Sequence, residues 1–118
     1  MKVIIAGGRD YVMTAADKAG LRRLGITQVI CGMATGADTE GRLWAASNGI
    51  PVKRMPADWK RYGKAAGIVR NTEMAQCADG LVAFWDGASK GTKHMIDTAR
   101  RNGLKIIVRS YTPTGKVS

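Results

Sequence analysis

Three stretches of this sequence combine glycines, small residues and a few charges in the order needed to hold an anion. The first is Gly7-Gly8-Arg9-Asp10-Tyr11, and the second is Cys31-Gly32-Met33-Ala34-Thr35-Gly36-Ala37-Asp38. The third is Asp86-Gly87-Ala88-Ser89-Lys90-Gly91-Thr92. Each follows a short apolar run and precedes a helical pattern. Glycine lets the backbone turn tightly and approach a ligand closely. The first amides of a helix have no internal partner, and the helix dipole adds about half a positive charge at the same end. A phosphate or a ribose-borne pyrophosphate suits such a place.

The side chains around these turns admit two readings each. Arg9 could clamp a phosphate bidentately or pair with Asp10. Asp38 either caps its helix or takes a ribose hydroxyl. Ser89, Gly91 and Thr92 offer hydroxyls and amides to a phosphate, or simply cap a helix. Arg70, followed by Asn71, reads as the opening of a helix, where a cation is unfavourable unless an anion lies nearby. Trp59 could stack on a base or pack against the sheet edge. Lys64 adds charge to the site or is merely solvated. Glu40 and Glu73 are carboxylates that could act as an acid near the turns, or are solvated helix residues. His94, the one histidine, lies off the Met95, Ile96 and Ala99 stripe and is expected to be exposed. No nucleophile, base and orienting group occur together.

The elements that must position these residues are legible from periodicity. Lys2 to Ala6, Thr27 to Cys31 and Gly80 to Trp85 are short, continuous, β-branched or apolar runs, which read as strands buried on both faces. Pro51 to Met55 is a third strand in chain order, with prolines at both ends that suit an edge, and Leu104 to Val108 is the last. Helices are expected over Met13 to Leu24, Gly36 to Asn48, about Lys64 or Ile68 to Cys77, and from Thr92 to a stop at Asn102-Gly103. Pro56 to Gly67 is the least regular piece, and residues 111–118 form a polar tail expected to fray. Strands alternating with helices predict an α/β Rossmann-like three-layer fold: a five-stranded parallel sheet with helices on both faces. Ligands of such sheets sit beyond the carboxyl ends of the strands.

The chain has 118 residues, a length for one domain, and 45% of them are hydrophobic. Its apolar runs are shorter than the ~20 residues that cross a bilayer, and Met1-Lys2 does not open a signal peptide. A cytoplasmic protein with no membrane partner is expected. Cys31 and Cys77 lack ligand-spaced companions, so neither a disulfide frame nor a metal site is indicated. The net charge of +10 favours anionic small molecules or polyanions, although the basic residues are scattered enough to be a solubilising surface.

The same residues resemble the SLOG superfamily, which joins the DNA-processing protein DprA, LOG-type nucleotide phosphoribohydrolases and small bacterial and phage proteins. The resemblance covers nearly the whole chain. Gly7-Gly8-Arg9-Asp10-Tyr11 is similar to the opening turn of the small-protein branch. Gly32-x-Ala34-x-Gly36-x-Asp38 resembles the shared second turn, with Cys31 where Ser is common and Thr35 where relatives often carry Arg. Ala57-Asp58-Trp59, Gly63-Lys64-Ala65-Ala66-Gly67, Arg70-Asn71-x-x-Met74 and Phe84-Trp85-Asp86-Gly87-x-Ser89-x-Gly91-Thr92 are similar to that branch as well. LOG-type enzymes carry a catalytic Glu in the third turn's helix, and its position here is Met95. The family's Arg corresponds to Arg70. The resemblance therefore implies a retained sugar-phosphate cradle without the usual catalytic acid, and a homo-oligomer.

Together these features lead to one expectation and two alternatives. The expectation is a protein that binds a nucleotide-derived signal such as ADP-ribose or a cyclic ADP-ribose relative, sensing or sequestering it, with no cofactor. An antiphage SLOG domain that senses such a signal is the resemblance behind it. The first alternative is a nucleoside monophosphate N-glycosidase, with Glu40, Glu73 or Asp38 replacing the missing Glu. The second is single-stranded nucleic-acid binding, supported by the charge, with Trp59 and Tyr62 as residues that could stack bases.

Overall fold

A computed structural model of the chain describes residues 1–8, 10–32 and 37–112. Its elements are β1 (Lys2–Gly7), α1 (Ala15–Arg22), β2 (Gln28–Cys31), α2 (Ala37–Ser47), β3 (Val52–Arg54), α3 (Trp59–Tyr62), a 3-10 turn (Gly63–Ala65), α4 (Ala66–Cys77), β4 (Gly80–Trp85), α5 (Lys90–Arg101) and β5 (Lys105–Ser110). The five strands form one sheet in the order β3-β2-β1-β4-β5, and every pairing is parallel. In the central register Val3 faces Val29 on one side and Gly80 on the other. The order reverses beside β1, so β1 and β4 flank the switch point where such sheets bind ligands.

Alternation along β1 divides the core into two layers. Val3 and Ile5 join Val29, Val82 and Phe84 under Leu21 of α1 and Ala37, Trp44 and Ala45 of α2. Ile4 and Ala6 face the other way, with Ile30, Leu81 and Ala83, under Met74 and Ala75 of α4 and Met95, Ile96 and Ala99 of α5. These are the three layers expected from the buried strand pattern. Close packing fixes α2 on β1: a Cβ on Gly41 would stand 2.7 Å from Ile5 Cγ2.

Several boundaries differ from the sequence expectation, for local reasons. The first helix begins later than Met13 because Thr14 caps it, with a reciprocal bond between Thr14 and Asp17. Within the stretch read as irregular, Asp58 accepts from the Arg61 amide and starts α3. β3 is three residues long, shorter than the Pro51 to Met55 run, and lies at the sheet edge as expected. β5 continues to Ser110, and Tyr111 donates its amide to Trp85 O at 3.1 Å, so the ordered pairing extends past Val108. Residues 113–118 of the expected tail lie outside the described residues.

β5 is largely exposed along its length, from Lys105 to Ser110. A recess of about 160 Å³ lies beside it, with Val3, Leu24, Val82 and Ile107 among its walls. No helix among the described residues is long and apolar enough to cross a membrane.

Candidate functional site

Because β1, β2 and β4 run side by side and in parallel, their carboxyl ends and the turns that follow share one rim. The first two turns are joined by main-chain bonds. Gly8 donates its amide to Phe84 O at 3.2 Å, and Gly8 O accepts from the amides of Ala37 at 3.1 Å and Tyr11 at 3.3 Å. The first described amide of α2 is thereby fastened to the first turn. Gly7 is required by close approach: a Cβ there would lie 2.4 Å from Phe84 O and 2.9 Å from Ala37 Cβ. Gly8 is covered differently. A Cβ on it would fall 1.8 Å from the Tyr111 hydroxyl, so the Tyr111 side chain rests on this turn. Asp10 is exposed beside it. Arg9, Met33 and Gly36, all expected to bind ligand, lie outside the described residues.

Arg70 supplies a cation to the rim. Its Nη1 donates to Gly32 O, and its Nε donates to Asn71 Oδ1 at 3.1 Å. A Cβ on Gly32 would meet Arg70 Nη1 at 2.7 Å and Asp38 Oδ2 at 3.1 Å. The guanidinium and the Asp38 carboxylate therefore share the space over Gly32, which only a glycine leaves clear. One expectation is corrected here. α4 begins at Ala66, so Arg70 sits in its second turn and the helix dipole does not explain it. Asp38 lies in the first turn of α2, after Ala37.

Behind Arg70 a polar chain runs across α4 and α5. Asn71 Nδ2 lies 3.1 Å from His94 Nδ1, and His94 Nε2 lies 3.4 Å from Thr98 Oγ1. Arg101 donates to the same hydroxyl at 3.1 Å. Because the Asn71 oxygen accepts from Arg70, its amide nitrogen faces His94. That arrangement needs a bare Nδ1 and puts the imidazole proton on Nε2. His94 is half-buried and engaged, not exposed as its position off the apolar stripe predicts.

The third turn closes on itself. Asp86 Oδ1 accepts from the amides of Ala88 and Ser89, both at 2.8 Å. Ser89 is the N-cap of α5, accepting from the Thr92 amide at 3.4 Å. Trp85 Nε1 donates to Ser89 O at 3.1 Å and holds the turn from below. Gly87 takes φ +85°, a conformation that favours glycine, and both Gly87 and Gly91 are exposed. Of the two readings for Ser89, capping describes its bonds.

Beside Arg70 opens a polar cleft of about 250 Å³ between α3 and α4. Its walls include Asp58, Arg61, Tyr62, Arg70 and Glu73. Sequence reasoning singled out Glu73 but gave no reason to place it with Arg70. The three-residue spacing was the available signal, since it puts both on one helical face. Tyr62, expected only as a residue that could stack a base, lines this cleft, and Arg61, read in the sequence only as one of the scattered basic residues, lines it too. Trp59 is 63% exposed, so it does not pack on the sheet edge, and neither it nor the exposed Lys64 lines the cleft.

One titrating cluster braces the first turn. Asp17 is buried, which would raise its pKa. It accepts from the Tyr11 hydroxyl and from the Thr14 amide at 3.0 Å, and it faces Arg109 at 3.5 Å. Those partners prevail, and the carboxyl is held below its ordinary range. Burial and the bond to Asp17 push the Tyr11 phenol upward. Burial, reinforced by Asp86 and Asp10, raises Tyr111 as well. Tyr11 stacks on Phe84 with centroids 4.5 Å apart and tilts against Tyr111 at the same separation. Cys31 is buried and Cys77 half-buried, both as free thiols. Among the described residues no group of three or more His, Cys, Asp or Glu could hold a metal ion.

Comparison with known proteins agrees with this architecture. Residues 1–62 match the family described as YAcAr, the YspA, cpYpsA-related SLOG family. The Gene 61 protein of Mycobacterium phage D29 is 39% identical over 85 residues, covering 67% of this chain and 68% of that protein. No solved structure matches the chain significantly.

Proposed function

Because the chain belongs to the YspA, cpYpsA-related SLOG family, we propose that it holds a small nucleotide-derived ligand by its phosphate and ribose. ADP-ribose or a cyclic ADP-ribose-like signal is the class we favour. The observation that carries this reading is Arg70, laid over Gly32 beside Asp38 and opening onto the cleft. Gly32 and Arg70 would receive the phosphate, Asp38 a ribose hydroxyl, and Asn71 would hold the guanidinium in plane. Gly7, Gly8 and Ala37 frame the same rim, and Asp86 shapes the far side. Met95, where LOG-type enzymes carry their Glu, is buried and apolar, which supports holding the ligand over turning it over. Sequestering suits a chain similar to a phage protein, and a homo-oligomer is the assembly we expect.

Thermal melting with ADP-ribose, cyclic ADP-ribose and AMP tests the proposal. A ligand that binds the folded state raises stability by RT ln(1 + [L]/Kd), about 2.7 kcal/mol at 100-fold excess over Kd. The shift should appear with at least one of the three and vanish in Arg70→Ala. No shift with any of them would sink the reading.

A second reading, N-glycosidic cleavage of a nucleoside monophosphate, draws on Glu73, which shares the cleft with Arg70. Release of free base from AMP or CMP, abolished by Glu73→Gln, would favour it. Absence of free base in the wild type would dismiss it.

A further inference from the structure

Arg70 does not hold its place over Gly32 by itself. Its Nη1 donates to Gly32 O, and its Nε donates to Asn71 Oδ1 at 3.1 Å. Asn71 is 7% exposed, so its amide depends on protein partners. That amide has two ends of opposite character, an oxygen that accepts and a nitrogen that donates. With the oxygen given to Arg70, the nitrogen needs an acceptor, and His94 Nδ1 stands 3.1 Å away. The other side of the ring is held as well. His94 Nε2 lies 3.4 Å from Thr98 Oγ1, a buried hydroxyl that also accepts from Arg101 at 3.1 Å.

A second proton on the imidazole would change this chain. Protonated histidine donates from both nitrogens and accepts at neither. If Asn71 kept its orientation, its NH2 would face the Nδ1–H of His94, donor against donor. If the amide turned over, the same NH2 would face the Nε–H of Arg70. The two claims on the oxygen come from opposite ends of the amide, so one orientation cannot meet both. Within two turns of His94 on α5, the charged residues are Lys90, Lys93, Asp97, Arg100 and Arg101, and Asp97 is taken by Lys93 and Arg100. α4 contributes Arg70 and Glu73, and α2 contributes Asp38 beside Gly32. Asp86 of the third turn is engaged with its own loop. The ring thus lies in a chain with Arg70 at one end and Arg101 at the other.

We propose that His94 is a positioning residue for Arg70. Neutral, it locks Asn71 and with it the guanidinium over Gly32; protonated, it releases both, so the site holds a phosphate-bearing ligand at neutral pH and lets it go in acid. The ligand half of this rests on the phosphate-binding reading of the rim, whereas the coupling of His94 to Arg70 does not. His94 is not among the residues that line the cleft, and its effect travels through Asn71. The added charge works the other way, since a cation near the rim attracts an anion. The two effects have opposite signs, and the lost anchor prevails because it acts on the one guanidinium that meets the ligand.

The first test needs no ligand. The isotope-labelled full chain is followed by NMR from about pH 8 to about pH 5, the span in which histidines change charge. At the alkaline end the His94 ring should carry its proton on Nε2. On acidification the Arg70 Nε–H resonance should move with the same midpoint as the His94 ring nitrogens. His94→Asn keeps an amide oxygen where Nδ1 stood and cannot take up a proton, so the Arg70 resonance should hold still. The second test is calorimetry with ADP-ribose and, separately, sulfate, whose charges are constant over this span. Each Kd should rise about tenfold in the wild type between about pH 7.5 and about pH 5.5. His94→Asn should lack that loss, and His94→Leu, with no acceptor, should bind about tenfold more weakly at both ends. An Arg70 resonance that ignores the His94 midpoint would overturn the proposal whether or not any nucleotide binds. So would a proton on Nδ1 in the neutral ring, an affinity that rises in acid, or the same acid loss in His94→Asn. Arg70 tracking His94 while neither probe binds would sink the ligand reading and leave the coupling standing.

Discussion

Gly7 and Gly8 are adjacent and both crowded, yet they should respond differently to the same methyl group. At Gly7 the added carbon meets the main-chain oxygen of Phe84 at 2.4 Å, inside a strand pairing that cannot yield. At Gly8 it meets the far end of the Tyr111 side chain, which can swing aside. Overpacking a rigid site costs about 1–3 kcal/mol. Gly7→Ala should therefore lower stability in urea by an amount in that range, and Gly8→Ala by clearly less. Asp17 makes a second prediction at this scale. Its folded pKa lies below its unfolded value, so the unfolded chain takes up a proton first as pH falls. The stability it contributes is complete above about pH 4 and is lost as pH drops through the folded pKa. Asp17→Asn should be less stable than wild type at neutral pH, and the gap in urea midpoint should narrow below about pH 4.

At the scale of elements, α2 is the piece most tightly seated on the sheet. Gly41→Ala would gain about 1 kcal/mol of helix propensity but drive a methyl into Ile5, which is 1% exposed. The overpacking term, about 1–3 kcal/mol, should win, and the melting temperature should fall. Ile5→Val in the same chain should restore part of the loss. The strands were legible in the sequence because Val3 to Ile5, Val29-Ile30 and Leu81 to Phe84 need both faces buried, and a parallel sheet between the intervening helices provides that. The glycine turns were legible for the same reason, since each ends such a run. What stayed hidden was long-range. Arg70 reaches Gly32 across 38 residues, and Asn71 reaches His94 across 23. No local period encodes those meetings. Tyr111 read as part of a polar tail because nothing near it in sequence announces Gly8. Ser89 was ambiguous because a capping hydroxyl and a phosphate-binding hydroxyl use the same residue type at the same place.

For the whole molecule, charge is the dominant long-range feature. Three ion pairs occur among the described residues, Lys93 and Arg100 with Asp97, and Arg109 with Asp17. Only the last has a buried partner, and exposed pairs contribute about 0–1 kcal/mol each. A net charge of +10 repels itself more than these pairs attract. Neutral salt screens the repulsion within about 10 Å at 0.1 M. The melting temperature should rise from about 20 to about 300 mM sodium chloride, measured without phosphate or nucleotide present. A fall would mean that the pairs outweigh the repulsion. The same experiment in sulfate should show a larger rise, if the rim at Arg70 takes up the anion.

Tyr111 leaning on Gly8, with its ring 4.5 Å from Tyr11, also gives the protein an optical reporter of its own. Near-ultraviolet dichroism arises where aromatic rings are held in fixed tertiary packing, and Tyr11, Phe84 and Tyr111 are packed against the first turn. A molecule settling onto that rim would have to shift the outermost phenol. Its arrival would register in that band with no dye attached, while the far-ultraviolet signal of the helices stayed still.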